Sequence, residues 1–474
     1  MKLYSENKDY KLYQGNMLDM LEVIKSNSID SIITDPPYEL NFMNKGWDNS
    51  GIAFQPSTWR RCYEVLKPGG YLLAFGGSRT FHRIACAIED AGFEIRDTIM
   101  WLYGSGFPKS MNISLMLDKK EGLQGQRGVG GFNVGGIQEQ NNRKAKLYIG
   151  STTDGSKQKA YTDFKSDLAK QWQGWGTALK PSFEPIIVAR KPFKGSLVDN
   201  VIEYGVGGIN IDECRVGDET ISIHNAPKGT FAGGEYNRGS DTESYRDSTG
   251  RFPANTILTY DETDFDEVCG GFPNTKNSKR SSKYNKDTEY TNTYIPPKAI
   301  YTENNTYGDS GSASRYFMNC KYTGKDEDFR RYIYTPKASK KDRDEGLDIE
   351  ESVITDGRKK PIDNAFNRGE TLRKNTHPTV KPTELMQYLV RLVSPNGATI
   401  LDPFNGSGST GKAVMYENKE RNKNYKYIGI ELTEEYLPIS KARIEYVCNL
   451  TQEELKDKQL SIFDLGDNNE LHNI

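Results

Sequence analysis

IDSIITDPPYEL, residues 29–40, joins a short β-branched run to an acid, two consecutive prolines and a tyrosine. The run before the acid is typical of a central strand in a parallel sheet. Pro36 and Pro37 have no backbone N–H and cannot continue a ladder, so the strand must end there. Open α/β sheets bind ligands at the carboxyl ends of their strands, which makes the residues after this strand candidates for a site.

Asp35, Pro36, Pro37 and Tyr38 form a tetrapeptide that is rich in hydrogen-bond acceptors. Asp35 contributes carboxylate oxygens, each proline contributes a carbonyl on a backbone of fixed φ, and Tyr38 contributes a flat aromatic face. We predict a small pocket that suits a planar group carrying an NH2. The alternative interpretation is that the tetrapeptide is only a stiff turn.

The composition sets limits on the class of protein. A chain of 474 residues is too long for one ordinary core, and its net charge of −2 leaves room for a local basic face that binds nucleic acid. Its six cysteines are scattered without a C-x-x-C pair, so we expect neither a metal site nor a disulfide framework. The N-terminus has no apolar core and the chain has no long apolar run, so we expect a cytoplasmic protein with no membrane contact.

Strand and helix patterns alternate regularly at both ends of the chain. This alternation predicts an α/β fold with a doubly wound, mostly parallel sheet. Between the two ends lies a polar block that is rich in loop-forming residues. The sheet is therefore expected to be built from both ends of the chain.

ILDPFNGSGSTGKA, residues 400–413, follows a predicted strand and opens a predicted helix. Its glycines would let the backbone approach a ligand closely, but the spacing is not that of a phosphate-binding Walker loop. Glu431 ends the next strand about 20 residues later, where an acid commonly binds ribose hydroxyls. These features favour an adenosine-containing ligand without a phosphate cradle, and S-adenosyl-L-methionine (AdoMet) is the obvious candidate.

Three motifs together carry a family resemblance: D-P-P-Y, the D-P-F-x-G-S-G-S-T loop, and HPTVKP at residues 377–382. In this order they resemble the AdoMet-dependent amino-methyltransferases of DNA in the permuted β arrangement, of bacterial or phage type. The likeness covers most of residues 8–450. It implies a methyltransferase sheet of seven strands, at residues 10–15, 30–34, 70–76, 94–101, 184–190, 398–402 and 426–431.

The resemblance also implies how the chain is divided. The catalytic half precedes the AdoMet half, and a large loop-rich target-recognition region lies between them. The expected segments are a catalytic half at 1–103, a flexible insert near the target base at 104–182, the last strand of the sheet at 183–194, a target-recognition region at 195–375, an AdoMet-binding half at 376–450 and a tail at 451–474.

The resemblance implies methyl transfer from AdoMet to the exocyclic N6 of adenine in double-stranded DNA. Asp35 and the Pro36 carbonyl would accept the two amino hydrogens and aim the nitrogen lone pair at the methyl group. Tyr38 would stack on the base, which must be flipped out of the duplex to reach the pocket.

The glycine loop and its neighbours would hold AdoMet. Phe404, Gly406 and Gly408 are expected around the methionine part of the cofactor. Glu431 is expected at the ribose, and Asp402 is expected to orient the loop.

Two further segments are assigned to AdoMet by resemblance. His377, Thr379 and Lys381 match the family's segment near the cofactor's carboxylate, where Lys381 would supply charge. Asn16 stands where the family usually has an acid that contacts the adenine of the cofactor, and Asp19 is a substitute for that contact.

The polar block contains a basic, tyrosine-rich window. Residues 276–341 hold 14 Lys and Arg against 7 Asp and Glu, together with nine tyrosines. Such a mixture suits phosphate contact and base stacking, although a solvated surface has a similar composition. The residues expected to contact phosphates are Lys337, Lys340, Lys341 and Arg343.

Other functions remain open from sequence. The nearest is the same enzyme acting on cytosine N4, but the family's cytosine enzymes more often carry serine in place of Asp35. An RNA or protein methyltransferase and a non-catalytic DNA-binding protein are less favoured. A homodimer is implied by resemblance only, and a restriction endonuclease, if one exists, would be a separate chain.

Overall fold

The structure is a computed structural model of the chain. Its elements form one large mixed sheet with helices on both faces, and three two-stranded sheets. The structure describes residues 2–40, 46–103, 110–123, 164–225, 244–261, 274–275, 311–312, 318–322, 338–350, 352–355 and 370–456.

Sixteen strands lie within these ranges. In chain order they are β1 (Lys2–Glu6), β2 (Tyr10–Gln14), β3 (Ile29–Thr34), β4 (Leu66–Phe75), β5 (Glu94–Tyr103), β6 (Phe183–Arg190), β7 (Val216–Asn225), β8 (Ser244–Arg251), β9 (Thr256–Asp261), β10 (Asn274–Thr275), β11 (Gly311–Ser312), β12 (Met318–Tyr322), β13 (Ser352–Thr355), β14 (Glu370–Arg373), β15 (Thr399–Asp402) and β16 (Lys426–Glu431).

Ten helices accompany them in the described ranges. They are α1 (Met17–Val23), α2 (Pro56–Val65), α3 (Phe81–Asp90), α4 (Ile113–Lys120), α5 (Asp167–Gln171), α6 (Leu197–Tyr204), α7 (Lys340–Asp344), α8 (Thr383–Val393), α9 (Ser409–Arg421) and α10 (Leu437–Asn449).

The large sheet has the order β1-β2-β16-β15-β3-β4-β6-β5-β9-β12. The seven strands predicted from sequence are neighbours in this sheet, in the order β2-β16-β15-β3-β4-β6-β5. The prediction of a doubly wound, mostly parallel sheet is therefore confirmed. The predicted number of seven strands is wrong, because the sheet has ten. β1 adds an antiparallel strand at one edge, and β9 and β12 add two parallel strands at the other.

β9 and β12 belong to the segment 195–375, which the sequence assigns to target recognition. This segment therefore contributes two strands to the large sheet itself. The described residues of the insert 104–182 include two short helices, α4 and α5. Most of the basic window 276–341 and of the tail 451–474 lies outside the described residues.

The helices cover the two faces of the sheet with separate apolar cores. All six residues of β3 are buried, and Ile32 and Ile33 point into different cores, as expected of a central strand with both faces covered. α1, α2 and α3 pack on the face of Ile32, and α8, α9 and α10 pack on the face of Ile33. In the part of the chain that the structure describes, no helix is long and apolar enough to span a membrane.

The ligand edge of the sheet follows from the strand directions. β2, β16, β15, β3 and β4 are parallel neighbours, so their carboxyl ends meet at one edge. β6 runs antiparallel to β4, so its first residues lie at that same edge. The motif residues that follow β3, β15 and β16 are thereby brought together, along with the start of β6.

α8 and α9 are joined by a buried ion pair. Arg391 Nη2 lies 2.6 Å from Glu417 Oε1, and Arg391 Nε lies 3.2 Å from Glu417 Oε2. The Glu417 side chain is fully buried. A buried pair of this kind contributes little net stability over an apolar pair, but removing one partner leaves the other charge uncompensated.

We predict that Glu417→Gln lowers the free energy of unfolding by roughly 3–5 kcal/mol, because Arg391 would remain buried without a counter-charge. Urea denaturation followed by circular dichroism measures the change. The matched control is Glu64→Gln, whose exposed pair with Arg61 at 3.1 Å should contribute less than about 1 kcal/mol. Equal losses in the two variants would contradict this role for Glu417.

Candidate active site

Asp35 lies at the carboxyl end of β3 and makes a single ion pair with a lysine that is distant in sequence. Its Oδ2 accepts a short hydrogen bond from the ammonium of Lys381. Its Oδ1 is buried and has no hydrogen-bond partner among the described residues. A buried acceptor without a donor is unfavourable in a folded protein, and such an atom suggests a place for a ligand.

Tyr38 forms an aromatic wall beside this carboxylate. Its hydroxyl donates to Glu184 Oε2 at 3.1 Å, and its carbonyl accepts from Thr80 Oγ1 at 2.8 Å. Burial, together with the nearby Asp35, raises the pKa of Tyr38 well above its usual value. The phenol therefore stays protonated, and Tyr38 is held by one hydrogen bond at its hydroxyl and one at its backbone.

Glu184 is the site residue that sequence reasoning missed. It is the second residue of β6 and is buried, with its neighbours along the strand mostly apolar. The signal was present in the sequence, since a carboxylate inside an otherwise apolar strand is costly unless it has a partner. The partners, however, come from residues 146 positions away and further.

The ammonium of Lys381 lies among acidic and aromatic side chains at this edge of the sheet. The sequence assigns it to the carboxylate of the cofactor, whereas the structure places its ammonium between Asp35 and Glu184, 3.8 Å from Glu184 Oε2. The ammonium also lies over the rings of Phe75 and Tyr38, at 4.8 and 5.4 Å from the ring centroids. Burial lowers the pKa of Lys381, and the contact with Asp35 opposes that shift.

Asp402 ties the glycine loop to the strand that carries Asp35. Its Oδ1 accepts from Thr34 Oγ1 at 2.7 Å and from the Phe404 N–H at 3.1 Å. Its Oδ2 accepts from Thr410 Oγ1 at 2.6 Å. Burial raises the pKa of Asp402 to about 6, even though these donors act to lower it.

Gly406 is the tightest point of the loop. Its φ is +51°, and a Cβ at this position would lie 2.8 Å from His377 Nε2. Its N–H donates to Glu431 Oε2 at 2.7 Å, while Glu431 Oε1 accepts from the Thr433 N–H at 2.7 Å. Burial raises the pKa of Glu431. The loop therefore has room only for glycine here, and Glu431 holds it in place.

Gly408 and Gly411 permit close packing of α9. A Cβ on Gly408, whose φ is +74°, would lie 2.5 Å from Ser440 Oγ, and a Cβ on Gly411 would lie 2.5 Å from Ile444 Cδ1. The buried guanidinium of Arg443 donates to the carbonyl of Ser407 at 2.8 Å. The shape of the glycine loop is thus set by α10 behind it.

The remaining predicted AdoMet residues surround this loop. Phe404 is partly exposed and its ring lies 6.5 Å from that of Trp59. Asn16 is exposed and caps α1 through its side-chain oxygen, which accepts from the Leu18 N–H at 3.0 Å. Gly15, just before it, donates its N–H to the Glu431 carbonyl at 3.0 Å. Asn16, two residues after the end of β2, therefore lies at the same edge as Glu431, which ends the adjacent strand β16.

His377 is a buried, neutral spacer beside the loop. Its Nδ1 lies 3.1 Å from the carbonyl of Thr379, whose side chain is exposed. Burial and the nearby Arg343 lower the pKa of His377 to about 3. The ring packs edge-on against Tyr436 at 4.5 Å. These contacts place HPTVKP directly against the glycine loop.

Asp342, in the segment predicted to contact DNA, anchors α7 on the other side of this motif. Its Oδ1 accepts from Lys412 Nζ at 2.7 Å, and its Oδ2 accepts from the Thr383 N–H at 2.8 Å. Burial acts to raise the pKa of Asp342, but Lys412 and Arg443 outweigh it and lower that pKa to about 2. Sequence reasoning missed this residue.

The four predicted phosphate contacts have different surroundings. Arg343 is half-buried and donates to the His377 carbonyl at 2.8 Å, so it supports HPTVKP. Lys340 and Lys341 are exposed on α7. Lys337 lies outside the described residues.

The comparisons with known proteins agree on one family. A family model described as DNA methylase matches residues 29–206 and 216–442, which is more than half of the chain.

No group of three or more His, Cys, Asp or Glu side chains in the described ranges could hold a metal ion.

Three curated relatives are type II methyltransferases. The chain is 34% identical over 112 residues to M.HpaI of Haemophilus parainfluenzae, covering 22% of this chain and 36% of that protein. It is 23% identical over 243 residues to M.HindIII of Haemophilus influenzae, covering 42% and 64%. It is 24% identical over 250 residues to M2.LlaDCHI of Lactococcus lactis subsp. cremoris, covering 47% and 87%. The chain thus spans less than two thirds of the first two relatives.

The depressed pKa of Asp342 predicts an acid-sensitive contribution to stability. A carboxylate with a pKa of about 2 in the folded chain stabilises the fold above its ordinary pKa, near 4, and loses that contribution as the pH falls through 2. Asp342→Asn should therefore lower the free energy of unfolding by about 2 kcal/mol at pH 7. The difference from the unmodified chain should shrink between about pH 4 and pH 2.

Urea denaturation at a series of pH values measures this difference. The control is Asp348→Asn, an exposed aspartate of the same segment, which should leave the unfolding free energy nearly unchanged at every pH. A difference for Asp342→Asn that does not vary with pH would show that its carboxylate charge is not the cause.

Proposed function

The chain belongs to the DNA methylase family, and on that premise we propose that it transfers the methyl group of AdoMet to the exocyclic N6 of adenine in double-stranded DNA. The family is AdoMet-dependent. Such a transfer is consistent with the structure, in which the acceptor residues, the glycine loop and the carboxylates lie at one edge of the sheet. The activity, the base and the DNA substrate are parts of the proposal.

The single observation that carries the proposal is Oδ1 of Asp35, a buried acceptor that has no hydrogen-bond donor in the part of the chain that the structure describes. It is buried at the carboxyl end of β3, next to the ring of Tyr38. A planar amino group that stacks on the ring could donate a hydrogen bond to this oxygen and remove the cost of leaving it unsatisfied. An exocyclic amino group on a base has this shape and this donor.

The chemistry requires positioning more than covalent help. The amino nitrogen is conjugated with its ring and is a weak nucleophile. Hydrogen bonds from this nitrogen to Asp35 Oδ1 and to the Pro36 carbonyl would draw it towards a tetrahedral geometry, with its lone pair directed away from both acceptors. Pro37 keeps the turn rigid, and Tyr38 supports a base that has left the duplex.

The residues around the glycine loop fit an adenosine-containing cofactor. Gly406 has no space for a side chain, and Glu431 presents a buried carboxylate beside it. Phe404 and Asn16 border the same region. AdoMet would supply the electrophilic methyl group at its sulfonium, and these residues would bind and orient it.

The choice of adenine rests on Asp35. The alternative is transfer to cytosine N4, which needs the same acceptor geometry and the same cofactor. The family's cytosine enzymes more often carry serine at this position, and this chain carries aspartate. The identity of the methylated base therefore has to be measured directly.

The first experiment identifies the product. The purified chain is incubated with unmethylated DNA and isotopically labelled AdoMet, the DNA is digested to nucleosides, and the methylated nucleoside is identified by mass. We expect N6-methyladenine. N4-methylcytosine would contradict the choice of base, and the absence of any methylated nucleoside would contradict the proposed function.

Asp35→Ala should reduce the rate of methyl transfer by at least about a hundredfold, because it removes the acceptor Oδ1 and leaves the amino group only the Pro36 carbonyl. AdoMet affinity should remain within about twofold of that of the unmodified chain, since the hydrogen bond of the Asp35 side chain is with Lys381 and not with the glycine loop. Single-turnover transfer and calorimetric titration with AdoMet measure the two effects. Loss of AdoMet binding in a folded Asp35→Ala protein would contradict separate acceptor and cofactor sites.

Reversing the charge of Lys340 and Lys341 to glutamate should weaken DNA binding and flatten its dependence on salt. Each lost phosphate contact should reduce the slope of log affinity against log salt by about 0.9. Fluorescence anisotropy at several salt concentrations measures the slope. The control reverses Lys2 and Lys8, which are exposed at the β1 edge of the sheet. An unchanged slope for Lys340 and Lys341 would remove α7 from the DNA contact surface.

A further inference from the structure

We propose that Lys381 and Glu184 are positioning residues for the methyl transfer: Lys381 fixes the Asp35 carboxylate, and Glu184 balances the charge of Lys381. The inference rests on the proposed function, because it assigns roles within the same site. It extends that function to two residues outside the D-P-P-Y motif. One of them, Lys381, is assigned to the cofactor's carboxylate by the sequence and contacts Asp35 in the structure.

The first argument is geometric. The Lys381 side chain is 5% exposed and the Asp35 side chain is 20% exposed, so their contact is largely shielded from water. With Oδ2 engaged by the ammonium, the carboxylate has one oxygen left, and that oxygen is the one without a partner among the described residues. The amino group of a base has two hydrogens. Asp35 Oδ1 can then accept one of these hydrogens, and the Pro36 carbonyl can accept the other.

The second argument concerns charge. The transfer would form a bond between the accepting nitrogen and the methyl carbon while the bond from sulfur to that carbon breaks and a neutral thioether leaves. Positive charge would thereby pass from the sulfonium to the nitrogen, which then releases one of its two protons to solvent. A lone ammonium beside that nitrogen would oppose the reaction, because like charges repel strongly where water is excluded. Glu184 Oε2 lies 3.8 Å from the ammonium. Two carboxylates around one ammonium leave the cluster with a net negative charge, which favours the developing cation.

The third argument concerns the aromatic wall. The carboxylate oxygen of Glu184 that faces Lys381 also accepts the hydroxyl of Tyr38 at 3.1 Å. Glu184 therefore has two roles. It orients the ring of Tyr38, which would support the base, and it offsets the charge of Lys381, which orients Asp35. Folding alone gives little reason to place such a glutamate in β6, since a buried ionic group contributes less than an apolar side chain of similar volume.

The test is a double-mutant cycle with Glu184→Gln, Lys381→Met and the double variant. The measured quantities are the single-turnover rate of methyl transfer, the AdoMet dissociation constant and the midpoint of thermal unfolding. Glu94→Gln is the matched control, because Glu94 pairs with Arg190 at the opposite end of the same strand pair. The control should transfer methyl groups at the rate of the unmodified chain.

We expect each single variant to lower the transfer rate by at least about tenfold, with the AdoMet dissociation constant changed by less than about twofold. The double variant should be much more active than the product of the two single effects predicts, because without Lys381 there is no ammonium for Glu184 to balance. Lys381→Arg, which keeps the charge, should recover part of the rate lost in Lys381→Met.

Transfer rates of both single variants close to that of the unmodified chain would overturn the inference, and so would rates that multiply in the double variant. If Lys381→Met does not fold, the rate of Glu184→Gln decides alone, and a rate equal to that of Glu94→Gln overturns the inference. A chain that transfers no methyl group before any substitution would instead overturn the proposed function. The two failures are therefore distinguishable.

Discussion

The hydrogen bonds of the Asp402 carboxylate hold together the two ends of the chain from which the site is built. Asp402 ends β15 and accepts from Thr34 at the end of β3, although the two residues are 368 positions apart. β15 and β3 share only two register pairs, so this side-chain bond extends their contact to the ligand edge. Asp35 directly follows Thr34. The hydrogen bonds of Asp402 therefore set the distance between Asp35 and the glycines of the loop.

Hydrogen bonds within the chain itself hold the glycine loop in shape. Asp402 holds its start through the Phe404 N–H and Glu431 holds its middle through the Gly406 N–H. A buried carboxylate is tolerated only when its oxygens are hydrogen-bonded, and both of these acids satisfy that condition with backbone or hydroxyl donors. The resulting rigidity reduces the ordering that a ligand would otherwise have to impose.

Local covalent constraints explain which parts of this arrangement could be predicted from sequence. Proline ends a strand and glycine permits a close approach wherever they occur, so D-P-P-Y, the glycine loop and the seven central strands could be placed without coordinates. The contact between Lys381 and Asp35 joins residues 346 positions apart, and no local pattern encodes it. Asp342 was hidden for another reason, because its charged surroundings in the sequence resemble a solvated surface. β9 and β12 extend the sheet through pairing with β5 and with each other, which depends on the whole fold.

The buried carboxylates differ in how many of their oxygens accept hydrogen bonds. This difference distinguishes the carboxylates that support the fold from the one that is proposed to act in the site. Behind the glycine loop, α7, α8, α9 and α10 are joined by pairs in which both oxygens of Asp342 and both oxygens of Glu417 have donors. At the sheet edge, Asp35 keeps one buried oxygen without a donor among the described residues. Folding alone disfavours such an atom, so its cost has to be offset elsewhere in the fold, chiefly by the apolar cores on the two faces of the sheet. The edge can then retain an acceptor of the kind that the proposed substrate, with its amino hydrogens, would satisfy.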